Sequence, residues 1–200
     1  MRPPARLLSL GAAALAIAAT IALLPPGSRT IRKPEPPTND FCVVAPATPY
    51  DPASGLAMYA PRPIPAEARC PVCGMYPARF PRWAAQTLFR DGAAQYFDSP
   101  VNLFVFLQRV ERYNRSYTLN DVAASFVTDF ESGQWIELQN AFFVRGSAVP
   151  GPMRGADLPA FASRAAADGF IRRRGGQVLT FTQVTPELIR SLGGNAPHRH

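Results

Sequence analysis

Three sulfur-bearing residues lie together in one short stretch, "CPVCGM", which runs from Cys70 to Met75. A C-x-x-C pair is typical of zinc sites, and it is also the pattern of dithiol redox proteins. The thioether of Met75, two residues after Cys73, is a softer donor that suits monovalent copper. The stretch therefore leaves three alternatives: a zinc site, a redox dithiol and a soft-metal site.

Zinc binding would need carboxylates or a second chain to complete the site, and dithiol redox chemistry would need a helix after the cysteines. A structural zinc site has four ligands, but the chain has one further cysteine, Cys42, and two histidines near its end, His198 and His200. A redox dithiol stands at the start of a helix, whereas the prolines that follow Cys73 oppose a helix there. A structural disulfide among the three cysteines stays open for an exported protein.

A second methionine extends the soft-metal alternative. Met153 lies in "PGPMRG", where prolines and glycines predict a loop that exposes the large apolar side chain. Isolated methionines usually fill cores. From the residues alone, Met75 and Met153 therefore indicate a candidate soft-metal site and no more.

Two similar groups of elements must position these residues. Residues 84–98 predict a β-hairpin, followed by a helix that Ser99 caps and Pro100 opens and by a strand in "ASFVTDF". The order then repeats, with strands in "QWIELQ" and "NAFFVRGS", a loop, a helix capped by Ser163 and a strand in "QVLTFT". The sequence therefore predicts an α+β fold of two consecutive ββαβ units, which pack together because each is too small to be stable alone.

The N-terminal residues predict an export signal that is retained as a membrane anchor. Residues 7–24 carry no charge and are long enough to cross a bilayer, and Arg2 and Arg6 precede them. A retained anchor is favoured over a cleaved signal because the run ends in leucines and prolines, without the small residues of a cleavage site. Residues 1–28 are therefore assigned to this segment, and the folded part is expected outside the cytoplasm.

Composition sets the remaining boundaries. The proline-rich residues 29–66 predict a stiff tether. The folded domain is predicted to span 67–190, with its two ββαβ units at about 69–130 and 131–185, and 191–200 to form a flexible tail.

The charge distribution argues against a nucleic-acid-binding domain. The net charge is +7, but five of the basic residues lie within residues 1–33, which contain no acid. The rest of the chain has 16 arginines against 14 acidic residues, so it lacks the basic excess of such domains. No catalytic histidine, paired-carboxylate motif or phosphate-binding glycine loop is present, and an enzyme is not expected.

In four stretches the chain resembles the NosL family of nitrous oxide reductase accessory proteins: "RCPVCGMYPARFPRWAAQTLFRDGAAQYFDSPVNLFVFL", "VTDFESGQWIELQNAFFV", "GSAVPGPMRG" and "GGQVLTF". The resemblance implies a pair of ββαβ units and a periplasmic, membrane-tethered chaperone that delivers Cu(I) to the copper centres of nitrous oxide reductase. It implies Cys73 and Met153 as Cu(I) ligands, with Met75 secondary. Cys70 would add a thiolate, pair with Cys73 in a disulfide or contribute little.

The resemblance also implies partners and a location. The partners would be the nitrous oxide reductase apoprotein, an inner-membrane ABC-type assembly complex and, as one option, a second copy of the chain. Residues 7–24 would hold the protein on the periplasmic side of the inner membrane, in place of the lipid of typical members. A third copper ligand would have to come from His198, His200, a second sulfur or a partner. The alternative is a membrane-anchored thiol–disulfide protein or a non-metal interaction module with a structural Cys70–Cys73 disulfide.

Overall fold

A computed structural model of the chain describes residues 45–193, which form the following helices and strands: β1 Ala85–Phe89, β2 Ala94–Phe97, α1 Pro100–Leu107, α2 Val110–Tyr113, β3 Val122–Thr128, β4 Trp135–Glu137, β5 Phe142–Arg145, β6 Ala160–Phe161, α3 Arg164–Arg174, β7 Gln177–Thr180 and α4 Pro186–Gly193. None of the helices in this range is both long enough and apolar enough to cross a membrane. The predicted anchor at 7–24 lies outside the described residues.

The first sheet has the strand order β2-β1-β3-β4, and all its neighbours are antiparallel. Every residue of β1 and β2 is buried. One face of this hairpin packs against α1, where Phe89 and Phe97 contact Phe106. On the other face, Leu88 and Tyr96 belong to an apolar cluster that residues from the preceding segment complete. The hairpin is therefore the centre of the first unit.

The second sheet has the order β6-β5-β7 and is also antiparallel. Its helix, α3, packs against it through Phe170, which contacts Phe161. The two units share one apolar core, in which Phe104 of α1 meets Phe143 of β5 with ring centroids 5.4 Å apart. The predicted α+β fold with two packed ββαβ units is confirmed.

The predicted helix ends are also present. The Ser99 side chain accepts a hydrogen bond from the backbone N–H of Asn102, and Pro100 occupies the first helical position of α1. The Ser163 side chain caps α3 in the same way, and Gly175 ends that helix. Each cap satisfies a backbone N–H that has no partner within its own helix.

One predicted strand belongs to the other unit. The strand in "QWIELQ", β4, pairs with β3 in the first sheet, so that unit continues past residue 130 to Glu137. The cause is a tight turn in which the Asp129 carboxylate accepts two backbone N–H bonds, one of them from Ser132 at 2.7 Å. The second unit takes its missing strand from β6, whose residues were predicted to belong to the segment that forms the second helix.

Part of the predicted tether is folded onto the domain. Residues 45–64, here called the strap, run along the β1–β2 hairpin: Thr48 exchanges backbone hydrogen bonds of 2.7 and 2.8 Å with Ala94. The buried Arg62 donates to the carbonyl of Gly92 at 3.0 Å and exchanges two bonds of 3.1 Å with the Gln86 amide. The strap covers the apolar face and exposed edge of the hairpin, and such edges are normally protected in native proteins. The other predicted tether residues, 29–44, lie outside the described range.

The strap packs closely against the hairpin turn at Gly92, and a substitution there tests this contact. Both Gly92 and Gly133 have positive φ, 83° and 77°, but a Cβ at Gly92 would lie 2.8 Å from Tyr50 Cβ, whereas nothing lies within 4 Å at Gly133. We expect Gly133→Ala to lower the free energy of unfolding by about 1 kcal/mol from backbone strain alone. We expect Gly92→Ala to lower it by about 1 to 3 kcal/mol more, because the strap must shift.

Urea denaturation of the parent protein and the two variants makes this comparison. Equal losses in the two alanine variants would show that the strap does not press on the hairpin turn.

Candidate metal centre

The cysteine stretch forms a closed loop. The backbone N–H of Cys70 donates to the carbonyl of Met75 at 2.9 Å, and that of Gly74 donates to the carbonyl of Cys70 at 2.8 Å. Residues 71–73 form the turn between these bonds, and no helix follows Cys73 until the short 3₁₀ turn Pro77–Arg79. The loop therefore brings the two thiols close together without placing either at the N-terminus of an α-helix.

A carboxylate joins the two thiols. One ligand atom each from Cys70, Cys73 and Asp98 lie within 4.8 Å of one another. Asp98 follows β2 directly and precedes Ser99, the cap of α1, so a strand end and a helix start fix its position. Cys70 is fully buried, whereas Cys73 is only half-buried. The cluster therefore has a closed inner side and an open side at Cys73.

Hydrogen bonds hold the Cys73 side chain in place. Its thiol donates to Asp98 Oδ1 at 3.1 Å, and the Asn102 amide donates to both Cys73 Sγ, at 3.3 Å, and Asp98 Oδ1, at 2.9 Å. A thiol must lose its proton before it can bind a metal. Asp98 is placed to accept that proton, and the Asn102 amide would then donate to a thiolate.

The second carboxylate oxygen is unsatisfied. Asp98 Oδ2 is buried and has no hydrogen-bond partner among the described residues. A buried polar atom without a partner costs free energy unless a proton or a cation satisfies it. The two thiols therefore supply soft donors for a metal ion, and the Asp98 carboxylate beside them supplies an acceptor for the proton that a thiol releases.

The two cysteines differ in reactivity. Burial raises the pKa of the Cys70 thiol well above its usual value, and the neighbouring Cys73 and Asp98 raise it further. A thiol with a raised pKa keeps its proton to higher pH and reacts slowly. Both cysteines are free thiols, so the alternative of a structural Cys70–Cys73 disulfide is not what the structure has.

Alkylation should distinguish the two thiols. With iodoacetamide at pH 8 we expect Cys73 to be labelled at least about tenfold faster than Cys70, because the Cys70 thiol is buried and remains protonated. Mass spectrometry of the tryptic peptide 70–79, with fragmentation to separate the two positions, gives both rates. In denaturant the difference should disappear. Equal rates in the folded protein would contradict the burial of Cys70.

The two methionines lie in different surroundings. Met75 is half-buried at the end of the cysteine loop. Met153 has 57% of its surface exposed, as predicted for the "PGPMRG" loop. That loop closes on itself through hydrogen bonds of 2.9 Å from Gly151 N to the carbonyl of Gly155 and 2.8 Å from Arg154 N to the carbonyl of Gly151. Met153 is therefore presented to solvent by a fixed turn.

The Met153 loop is fastened to the helix that carries the cysteine cluster. The buried Asp157 carboxylate accepts from the backbone N–H of Val101, in the first turn of α1, at 3.3 Å, and from that of Leu158 at 2.8 Å. Gly151 packs so closely against Asp157 that an added Cβ would lie 2.6 Å from the Asp157 Cβ. The structure thus brings the Met153 loop to the helix end where Asp98 holds Cys73. Cys42, His198 and His200 lie outside the described residues.

Asp157 should make the stability depend on pH. Burial raises its pKa from 3.8 to about 6, and the charge of Asp98 adds to the rise, although bonds from Leu158, Ser99 and Val101 oppose it. The folded protein therefore holds this proton over a range where the unfolded chain has lost it. The contribution of Asp157 to the free energy of unfolding should fall by about 2 kcal/mol as the pH rises from about 4 to 7.

Asp157→Asn removes the titrating group and keeps an oxygen acceptor. Urea denaturation of parent and variant at pH 4, 5, 6 and 7 isolates this contribution as the difference between the two profiles. Parallel profiles would show that Asp157 does not retain its proton in the folded state.

Three residues of this region were not predicted from the sequence: Asp98, Asn102 and Asp157. A signal for two of them exists in "FDSPVN", because an acidic residue directly before a Ser-Pro helix start lies at the helix N-terminus, and Asn102 lies one turn further. Asp157 carries no such signal, since its partner on α1 is 56 positions away in the chain.

Fold and site together define a small α+β domain with a thiol pair that opens to solvent on one side. The chain belongs to the NosL family, whose sequence profile matches residues 61–189. Over 73 residues it is 36% identical to the copper-binding lipoprotein NosL of Achromobacter cycloclastes. That match covers 36% of this chain and 38% of the relative, so it spans well under half of either protein.

One solved structure shows the same fold. The crystal structure of the copper chaperone NosL from Shewanella denitrificans superposes with a TM-score of 0.56 at 24% identity, over 64% of this chain and 97% of that one. The solution NMR structure of apo-NosL from Achromobacter cycloclastes has a TM-score of 0.39 at 24% identity, over 52% and 87% of the two chains. At this identity the crystal structure supports the fold alone.

Proposed function

We propose that this protein is a copper chaperone, which binds Cu(I) and delivers it for assembly of the copper centres of nitrous oxide reductase. The observation that carries the proposal is the half-buried Cys73 thiol, held between a proton acceptor and a second, fully buried thiol in a domain of the NosL family. A relative named as a copper-binding lipoprotein supports the choice of metal.

The donor set favours monovalent copper. Thiolate and thioether sulfur are soft ligands, and soft ligands in low number select Cu(I) over hard cations. Cys73 is the principal ligand because it is the accessible thiol of the cluster. Cys70 lies in the same cluster and is proposed as a second thiolate. Met153 and Met75 are proposed as thioether ligands, Met153 from the loop fastened to α1 and Met75 from the end of the cysteine loop.

Asp98 is assigned to proton transfer rather than to copper ligation. Carboxylate oxygen is a hard donor and is a poor ligand for Cu(I). Its Oδ1 already accepts the Cys73 thiol, so it can take the proton released when the thiolate binds the metal. The Asn102 amide then donates to the sulfur and stabilises its negative charge. This pair lowers the barrier to loading without adding a strong ligand that would slow release.

Delivery follows from the open side of the cluster. The buried Cys70 closes the inner side, and Cys73 reaches solvent on the outer side. An incoming sulfur or nitrogen donor would therefore approach the metal from the side of Cys73. Neutral thioethers dissociate without a change in protonation, so stepwise ligand exchange moves the metal to the partner. The protein binds and transfers the ion, and no catalytic step is part of the proposal.

The proposed receiving partners are the nitrous oxide reductase apoprotein and an inner-membrane ABC-type assembly complex. A second copy of the chain, forming a homodimer, is a further proposed partner. The proposed location is the periplasmic side of the bacterial inner membrane. The lipoprotein named among the relatives supports attachment to the cell envelope. Thiol–disulfide exchange is the weaker alternative, because neither cysteine lies at a helix N-terminus and the pKa of Cys70 is raised.

Ligand substitutions test the copper site. Reduced protein is titrated with Cu(I) against a chromophoric chelator, for the parent and for Cys73→Ser, Cys70→Ser and Met153→Leu. We expect Cys73→Ser to weaken Cu(I) binding by at least about 100-fold, and Cys70→Ser and Met153→Leu by about tenfold each.

Met58 provides a matched control, because it is another exposed methionine but lies on the strap. Met58→Leu should leave the affinity unchanged. If Cys73→Ser bound Cu(I) as tightly as the parent protein, the proposed site would be wrong. Native mass spectrometry of anaerobically purified protein would identify the metal and its stoichiometry.

A further inference from the structure

Two arginines stack on one tyrosine beside the cysteine loop. The guanidinium carbons of Arg69 and Arg79 lie 4.3 and 4.5 Å from the ring centroid of Tyr76. Arg69 also donates to the Tyr76 hydroxyl and, at 3.2 Å, to the carbonyl of Gly74. The bond to Gly74 places this cationic group against the loop that holds Cys73.

A third arginine extends the same segment. Arg82 lies over the ring of Phe130, 5.5 Å from its centroid, and its side chain is exposed, as are those of Arg69 and Arg79. Arg82 lines a cleft that Glu131 also lines, so the name arginine face is used here for Arg69, Arg79 and Tyr76 alone. The ion pairs found in residues 45–193 involve other arginines, at positions 164, 173 and 190. The arginine face therefore carries two positive charges that form none of these ion pairs.

This arrangement is suited to binding carboxylates. Like charges held close together repel one another, so an opposite charge from outside the chain is favoured there. Stacking on an aromatic ring occupies the face of a guanidinium and leaves its N–H edge, which matches a carboxylate with two parallel hydrogen bonds. Arg79 can offer that edge, whereas Arg69 already donates from both terminal nitrogens, to Gly74 and Tyr76, and adds mainly its charge. Every basic residue in 45–193 is an arginine, because the single lysine of the chain is Lys33 and its two histidines are His198 and His200. Tyr76 holds two of these groups in place before any ligand binds.

We propose that the arginine face docks an acidic segment of the protein that exchanges copper with Cys73. This inference rests on the proposed function, because a partner that takes the metal must bring a ligand to the Cys73 sulfur. In doing so it must lie against Arg69, which is bonded to the cysteine loop. Complementary charge at this position speeds encounter and fixes the orientation of the partner.

A protein partner fits the face better than a lipid surface does. Proteins that bind a membrane surface combine basic side chains with apolar side chains that insert between the lipids. The large apolar side chains that are exposed in residues 45–193 are Leu56, Met58, Tyr59, Leu119 and Met153. None of them belongs to the arginine face, which therefore offers charge and hydrogen bonds but no group for insertion.

A labelled acidic peptide tests the proposal. The probe is a fluorescein-labelled ten-residue peptide of alternating glutamate and glycine, and fluorescence anisotropy at low salt measures its binding to the parent protein. A peptide with glutamine in place of glutamate shows what the carboxylates contribute. We expect Arg69→Gln together with Arg79→Gln to weaken binding of the acidic peptide by about tenfold, and salt to weaken binding to the parent.

The matched control removes the same charge elsewhere. Arg109 and Arg115 are exposed and follow the far end of α1, away from Asp98 and Cys73. Arg109→Gln with Arg115→Gln should bind the acidic peptide as the parent does. Equal weakening in both double variants would show that only net charge matters and would overturn the proposal, as would unchanged binding in the arginine-face variant.

Two further measurements separate the remaining explanations. Vesicles of phosphatidylglycerol test the lipid alternative: if the arginine-face variant lost vesicle binding but not peptide binding, the proposal of a protein partner would be overturned.

Cu(I) affinity of the same variant should equal that of the parent, which would confirm that the face docks a partner and does not hold the metal. A parent protein that bound the acidic peptide through this face but not Cu(I) would contradict the proposed function and leave the carboxylate-binding face in place.

Discussion

The first turn of α1 is the point on which the site depends, because its unpaired backbone N–H groups must be satisfied by side chains. Ser99 caps it from within the chain, and Asp157 reaches it from a distant loop. Asp98, immediately before the cap, holds the thiol of Cys73. One helix start therefore orders the thiol, its proton acceptor and the loop that presents Met153. A substitution that displaces any one of these three groups should therefore change the positions of the other two.

The duplicated architecture explains how residues so far apart reach one helix end. Each ββαβ unit buries only one side of its sheet with its own helix, and the shared core forces the two units together. This packing sets β5 and its neighbours against α1, through Phe104 and Phe143. The loop between β5 and β6 then comes to lie at the N-terminus of α1. The cluster of Cys70, Cys73 and Asp98 lies in the first unit, and the second unit contributes the loop that carries Met153.

Local signals made part of this structure predictable. Ser99 with Pro100, and Ser163 with Gly175, mark helix ends through hydrogen bonds that form within a few residues, and the structure has both helices. The pairing of β4 was harder to predict, because β4 pairs with β3 across the turn at Asp129. The residues of that turn are equally compatible with a linker between the two units. The cysteine stretch was evident from its residue types. The groups that surround the cysteine stretch could not be predicted, because they depend on burial and on segments that are distant in the sequence. Residue spacing gives no information on either.

The strap separates the place where the upstream chain joins the domain from the place where the thiols lie. The strap begins at Ala45, and Ala45 and Thr48 are bonded to Gln95 and Ala94 of the hairpin. A mechanical pull along the chain from the N-terminal side would therefore load the backbone bonds at the edge of the first sheet. The cysteine loop begins only at Cys70 and would not carry that load. The domain can thus be held from one end while the geometry around Cys73 stays undisturbed.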